Sequence, residues 1–272
     1  MWRMTEYTSH STLSLVTLNL LDDLTIWDQR GPLVVRELDR LQPDIIAFQE
    51  VRMSINNAQW IADQLGGYEV LLCPKTGELG RRDALALLSR LPVKEHHKFS
   101  LGHQDRVALR VVVEHQGATW HIATTHTYWH PLDDRTRLQE AKRLAEWLPA
   151  PGVICGDFNA EPNYPSMLKM KERFQSAHVA ANGHEPTYTC PTPLFRGAGV
   201  HNTARRTSLQ LAGLVTKGKL ETWTGVIDFI FADPGIQVPE CHVAFNHPAG
   251  HDHRIYPSDH LGLYAKLQQV VK

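Results

Sequence analysis

Short apolar runs recur along the chain, each bounded by turn-forming residues. They cover 12–20 (TLSLVTLNL), 44–51 (DIIAFQEV), 68–73, 84–89, 107–115, 119–127, 152–158, 225–232 and 260–267. Their enrichment in Val, Ile, Leu and aromatics favours extended chain. Three other stretches have helical character. Pro32, followed by Leu33, Val34, Leu38 and Leu41, predicts a helix that starts at the proline and stops near Pro43. NNAQWIADQLGG (56–67) ends in glycines of the kind that close helices. Over 133–148, Leu138, Ala141, Leu144, Ala145 and Leu148 recur at helical spacing, with Asp133 and Asp134 at the positive end and Pro149 beyond.

Strand–helix–strand units therefore alternate with hairpin-like pairs among 84–89, 107–115 and 119–127. This mixture predicts an α/β sandwich with mixed sheets. No repeat, charge block or linker divides the chain. One domain over 1–272 is expected, with 1–11 as a disordered or extended tail. The stretch 176–224 is rich in His, Thr, Pro, Gly and Arg, lacks a clean period, and reads as long loops.

Several strands end in polar residues that a buried strand does not need. VICGDFNAEP (153–162) presents Asp157 and Asn159 two positions apart, on one side of an extended chain. Asn19, Glu50 and His126 close three further strands. Asp228 interrupts VIDFIF, and Asp259 and His260 precede the last strand. Each has a plainer reading alone: a turn cap for Asp157, Asn159 or Asn19, a salt bridge to Arg52 for Glu50, an ordinary histidine beside His121 and His130 for His126. Burying an unpaired charge is expensive, so polar ends on so many separate strands suggest convergence on one site. Glu50, Asp259 and Asn19 offer hard oxygen ligands suited to Mg²⁺ or Mn²⁺ rather than Zn²⁺. A carboxylate beside an amide can deprotonate and orient water, and a His–carboxylate pair can donate to phosphoryl oxygens. The set reads as metal-assisted hydrolysis of a phosphate ester.

Composition narrows this picture. Hydrophobic residues are 42% and charged residues 21% of 272, enough for a sizeable core. A net charge of -1 gives no global positive field, which leaves room only for a local basic cleft. Cys73, Cys155, Cys190 and Cys241 lie far apart, so neither a zinc site nor a disulfide framework is expected. No apolar window has the length of a membrane span, and the N-terminus has no signal-type apolar core. A cytoplasmic monomer with no obligate protein partner is the expectation.

In chain order, TLN (17–19), QE (49–50), TTH (124–126), GDFN (156–159), IDFIF (227–231) and SDH (258–260) resemble the endonuclease/exonuclease/phosphatase superfamily. Each piece is short; the ordered set is specific. The resemblance implies a four-layer α/β/β/α sandwich with two mixed sheets, exonuclease III/DNase I-like, with the site at one edge of the sheets. It implies Glu50 as the main metal ligand, Asn19 holding the metal-bound water or phosphate, and Asp259 near the metal. Asp157 would be the general base and Asn159 would orient phosphate or nucleophile. Asp228 would pair with a phosphate-contacting His260, and His126 would be a second transition-state donor. The implied cofactor is Mg²⁺, with Mn²⁺ substituting.

THTYWHPLDDRTRLQ (125–139), CGDFNAEP, EPTYTC (185–190) and GVIDFIF are similar to the deadenylase branch, which includes nocturnin. Its members are Mg²⁺-dependent 3′-to-5′ exoribonucleases and related phosphodiesterases. The leading expectation is thus a nuclease on RNA or single-stranded nucleic acid. A phosphatase or a small-molecule or lipid phosphodiesterase on the same metal site is the alternative, and a non-catalytic binding module a further one. Tyr188 is a candidate to stack on a base. Arg106 is a candidate substrate contact, although Arg106 and Arg110 alternate with apolar residues and also read as outer-face charges. THT stands where THL is commoner. His247, His251 and His253 have no counterpart in the branch and read as a mobile polar loop.

Overall fold

The computed structural model describes residues 9–196 and 223–271. Numbered along the chain, β1 (His10–Asn19), β2 (Ile45–Arg52), β3 (Glu69–Pro74), β4 (Asp83–Ser89), β11 (Gln237–Ala244) and β12 (Gly262–Val270) form one sheet, in the order β11-β12-β1-β2-β4-β3. The second sheet holds β5 (Val93–Ser100), β6 (Val107–His115), β7 (Ala118–His126), β8 (Gly152–Asp157), β9 (Gln175–Ser176) and β10 (Asp228–Ala232), in the order β5-β6-β7-β8-β10-β9. Each sheet has a parallel pair at its centre, β1 with β2 and β7 with β8, flanked by antiparallel strands.

The sheets pack face to face over Leu13, Leu15, Leu109, Trp120 and Ile230. Helices α1 (Trp27–Leu41) and α2 (Asn57–Leu65) cover the outside of the first sheet through Val34, Leu38 and Ile61. Helices α3 (Asp134–Trp147) and α4 (Pro165–Lys171) cover the second through Ala141, Leu144 and Met167. This is the four-layer α/β/β/α sandwich. It explains why the central strands read as nearly unbroken apolar runs: both of their faces are buried.

Four expectations need correcting. Helix α1 begins at Trp27, not Pro32. Trp27 meets Trp60 edge to face at 5.7 Å, and the Pro32 side of the helix is exposed, so the missing N–H weakens a turn that packing already holds. Strands β5 and β11 escape the hydrophobic pattern because they lie at sheet edges. β5 leaves every residue exposed or half-exposed, and β11 carries Pro239 at a break in register. The stretch 84–89 makes no hairpin with 107–115; β4 sits in the other sheet between β2 and β3. In VIDFIF the strand starts only at Asp228, because Gly225 bridges to Cys190 instead.

Of the stretch read as a tail, His10 and Ser11 belong to β1, and 1–8 lie outside the described residues. The stretch 176–224 contains helices α5 (Ala177–Asn182) and α6 (Pro193–Arg196), and 197–222 lie outside the described residues. Among the described residues no helix is long and apolar enough to cross a membrane.

Candidate active site

The two parallel pairs end at the same edge of the sandwich. β1 delivers Asn19, β2 Glu50, β7 His126 and β8 Asp157; β10 begins with Asp228, and residues 258–260 lead into β12. Local backbone geometry aims these side chains. Glu50 has φ +56 at a register shift between Phe48 and Val51, a bulge that turns its carboxylate out of the ladder. Asn159 also has positive φ (+49). Left-handed backbone is tolerated by asparagine but disfavoured for glutamate, where it persists only because surrounding structure enforces it. Gly156 has φ +138 beside the Thr125 backbone, leaving no room for a side chain before Asp157.

Asp157 is the hub. Its Oδ2 accepts from Asn19 Nδ2 at 3.0 Å, and lies 3.5 Å from His126 Nε2 and 3.9 Å from His260 Nε2. Its Oδ1 accepts from the Asn159 N–H at 2.9 Å. Asn19 Nδ2 also donates to Glu50 Oε1 at 3.1 Å, while its own oxygen accepts from the Leu21 N–H. As arranged, Asn19 thus turns its amide NH₂, rather than its oxygen, toward the two carboxylates. His260 Nδ1 meets Asp228 Oδ2 at 2.9 Å. Asn159 Nδ2 donates to the Thr127 carbonyl at 3.2 Å.

Electrostatics separates the two histidines. Burial lowers His126, and the cations Arg106 and Lys75 lower it further, so its ring is neutral. Burial also works against a charged His260, but the Asp228 and Asp157 carboxylates outweigh it and hold that ring well above its usual range. Burial pushes the Asp157 carboxyl up to about 7, against the pull of His260. The site therefore pairs a reluctantly ionised carboxylate with one cationic and one neutral imidazole. Asp157, Asp228 and His260 each offer one ligand atom within 4.8 Å of the others. Because Asp228 engages His260 Nδ1, the trio reads more naturally as a proton-handling set than as a metal cage.

Several contributors are silent in sequence. Arg30 is fully buried; its Nη1 donates to the carbonyls of Leu20 and Pro257, and its Nη2 to that of Asp23. One guanidinium thus ties the loop after Asn19 to the segment before Asp259. Buried Lys75 and Asp83 form an ion pair; burial pushes the Asp83 carboxyl up to about 6, with Glu50 adding to the rise. Gln49 Nε2 reaches Thr124 Oγ1 of the opposite sheet at 2.9 Å. Thr189 Oγ1 accepts from the backbone N–H of Ile227 and of Asp228, fixing the start of β10.

Arg106 and Arg110 are not outer-face charges: both are buried. α3 covers this face of the sheet, with Arg110 over the Trp147 ring and Arg106 Nη1 3.4 Å from the His126 carbonyl. The Arg106 Nε has no partner, so donor capacity remains beside His126. Tyr188 is half-buried next to Thr189 and close to Tyr256. Asp259 is buried; its carboxylate lies 3.4 Å from Ser258 Oγ, and its backbone carbonyl accepts from the Thr192 N–H.

The donor set fits a hard divalent cation. Glu50 is half-buried at the mouth of the site, and the hydrogen bonds from Asn19 and the Asp22 N–H engage one lone pair on each oxygen. Asn19 adds an amide and Asp157 a carboxylate beside it. Among the described residues the one thiol at the site, Cys190, lies against His260 and is kept protonated by burial, which suits Mg²⁺ or Mn²⁺ rather than a soft metal.

Glu140 supports the loop that follows His126. It is buried, and its Oε2 accepts from the Tyr128 N–H at 2.8 Å. Burial pushes its carboxyl from 4.5 up to about 7. Between those values the folded state binds more protons than the unfolded chain, so stability falls as pH rises through this window. Glu140→Gln retains an acceptor for Tyr128 and removes the titration. From pH 5 to pH 8, wild type therefore loses roughly 2 kcal/mol more stability than Glu140→Gln in urea titrations. Equal losses would refute this.

The sequence model of the Endonuclease/Exonuclease/phosphatase family matches residues 27–260. Among curated relatives, human nocturnin is 26% identical over 192 residues, 60% of this chain and 44% of that protein. Carbon catabolite repressor protein 4 homolog 3 of Arabidopsis thaliana is 28% identical over 159 residues, 51% of this chain and 34% of that one. The matched stretches make up about a third to a half of these relatives' own length. Among solved structures, D. rerio TDP2 complexed with single strand DNA product superposes with a TM-score of 0.74 at 15% identity, covering 94% of this chain and 99% of that one. The human nocturnin catalytic domain with bound sulfate anion gives 0.69 at 20% identity, covering 96% of each chain. The solved structures share the fold, and the family match spans every strand end that builds the site except Asn19: the chain belongs to the endonuclease/exonuclease/phosphatase family of phosphoester hydrolases.

Proposed function

We propose that this protein is a Mg²⁺-dependent phosphodiesterase, with Mn²⁺ able to substitute, acting as a 3′-to-5′ exonuclease on RNA or single-stranded nucleic acid. The observation that carries the reading is the environment of Asp157: a buried carboxylate on which an amide and two imidazoles of opposite charge state converge. Glu50 would hold the metal; Asn19, whose NH₂ meets the Glu50 and Asp157 carboxylates, would fix the Glu50 carboxylate in place, and Asp259 would add a second carboxylate ligand. When bound, the cation polarises the phosphoryl oxygens and offsets developing charge. Asp157 takes the proton of the attacking water, and Asn159 and Asn19 orient the groups around it. His260, kept cationic by Asp228, donates to a phosphoryl oxygen from Nε2, and neutral His126 offers a second N–H. Arg106 and Lys75 add positive charge on the His126 side. The similarity to nocturnin and to a TDP2 structure holding single-stranded DNA supports a nucleic acid substrate.

Glu50→Gln tests the metal assignment. It raises the Mg²⁺ concentration for half-maximal activity at least about 10-fold, the loss typical of removing even an outer partner of a metal ligand. Calorimetric titration with Mg²⁺ shows the same weakening without turnover. The product identifies the substrate class. Nucleoside monophosphates released from an oligonucleotide support the reading; inorganic phosphate from phosphomonoesters, with oligonucleotides intact, replaces it with a phosphatase.

A further inference from the structure

Trp129 is exposed, with 54% of its surface open, and no other tryptophan or phenylalanine is exposed among the residues whose side chains are described. It joins none of the hydrophobic clusters. Its ring contacts are with its own loop neighbours, Tyr128 at 6.4 Å and His130 at 5.5 Å. Leu132, beside it, is 91% exposed. A lone exposed apolar residue needs no explanation. The way this one is held does.

The two carbonyls flanking Trp129 are both held by one guanidinium. Arg137 Nη1 donates to the His130 carbonyl at 2.6 Å and to the Tyr128 carbonyl at 3.3 Å. The Tyr128 N–H is taken by Glu140. Arg137 and Glu140 are both almost wholly buried, and Arg137 is itself fixed by Asp134 and by the Tyr164 ring. A buried guanidinium and a buried carboxyl are thus committed to the backbone on either side of an exposed indole. Burying ionisable groups is expensive, so a loop of no consequence would not be built this way.

The same loop is joined to the catalytic segments. The Thr127 N–H donates to the Asp157 carbonyl, Thr127 Oγ1 to the Phe158 carbonyl, and the Thr127 carbonyl accepts from Asn159 Nδ2. Trp129 is two residues on, within about 7 Å of chain from Thr127. A firmly held aromatic face two residues from a segment bonded to Asp157 and Asn159 is a surface on which a base of a flexible single strand can stack.

We infer that Trp129 is a nucleobase-stacking platform for a nucleotide flanking the scissile phosphate of a single-stranded nucleic acid. This rests on the function proposed above and adds to it a binding subsite. Arg137 and Glu140 are positioning residues for that platform. Stacking is indifferent to base identity, so the subsite confers grip on single strands without sequence preference.

The test compares a single-stranded RNA oligonucleotide with bis-p-nitrophenyl phosphate, a diester without bases. Trp129→Ala lowers the ratio of kcat/KM on RNA to kcat/KM on the base-free ester by roughly 5- to 100-fold, with the loss in KM, and Trp129→Phe restores most of it. With an oligonucleotide carrying an abasic residue next to the cleaved bond, wild type and Trp129→Ala have the same KM. Binding gives a reading independent of turnover: in the Asp157→Asn protein, RNA quenches tryptophan fluorescence, and Trp129→Phe removes most of the quenching. If wild type degrades RNA and Trp129→Ala leaves the ratio unchanged, the platform is wrong and the nuclease reading stands. If the ratio is unchanged because both substrates suffer equally, Trp129 supports the fold, and the platform is again wrong. If wild type hydrolyses the base-free ester but leaves RNA intact, both proposals fall.

Discussion

Asp157→Asn lowers kcat on a phosphodiester by on the order of 10³-fold and leaves the protein folded. The substitution keeps the side chain's shape and an acceptor for the Asn159 N–H, 2.9 Å away. It removes the lone pair that takes the proton of water. Two effects on stability oppose each other. Burial already pushes this carboxyl up to about 7, so a neutral isostere relieves a disfavoured charge, but its NH₂ takes the place of Oδ2 and faces the Asn19 Nδ2 donor. The signature is therefore a split: turnover collapses while the protein still unfolds cooperatively. Steady-state kinetics beside thermal denaturation reads both. A variant retaining more than a tenth of wild-type kcat would show that Asp157 is not the base. A variant that unfolds would show that its role is structural.

Gly156→Ala has a comparably large effect through a different cause. A Cβ at this position would overlap the Thr125 carbonyl oxygen, far inside van der Waals contact. That oxygen is backbone of β7, which pairs with β8 in parallel register, Thr125 opposite Gly156 and His126 opposite Asp157. Neither strand can yield without separating the two. The backbone at φ +138 adds strain for any L side chain. The expected loss is about 4 kcal/mol or more, in the range reserved for severe steric or core damage. Urea denaturation measures it. A midpoint equal to wild type would mean that the two strands are not packed as described.

What the sequence reveals depends on where a residue's surroundings come from. Strands at the sheet centres are legible because burial on both faces leaves an apolar run, as in Val153–Cys155. Edge strands are not: β5 reads VKEHHKFS, which is solvated surface by pattern, and its pairing comes from β6 alone. Asp157, Asn159, Asp228 and His260 stand out because polar groups break apolar runs, and the structure gathers all four. Arg30, Lys75 and Arg137 do not stand out. They sit in helices or turns among other charged residues, and their burial is created by distant segments such as Pro257 for Arg30. Arg106 misled for the same reason, since α3 covers a face that alternation alone leaves open. Glu50's left-handed backbone has no sequence signal, because glutamate is an unfavourable residue for it and only the bulge in β2 imposes it.

The most direct test of the account is a 5′-labelled single-stranded RNA incubated with Mg²⁺ and purified protein, beside Asp157→Asn and an EDTA control. The account predicts a ladder that shortens from the 3′ end in wild type, and intact RNA in the other two. Intact RNA with wild type, or a ladder that persists in Asp157→Asn or in EDTA, would contradict it.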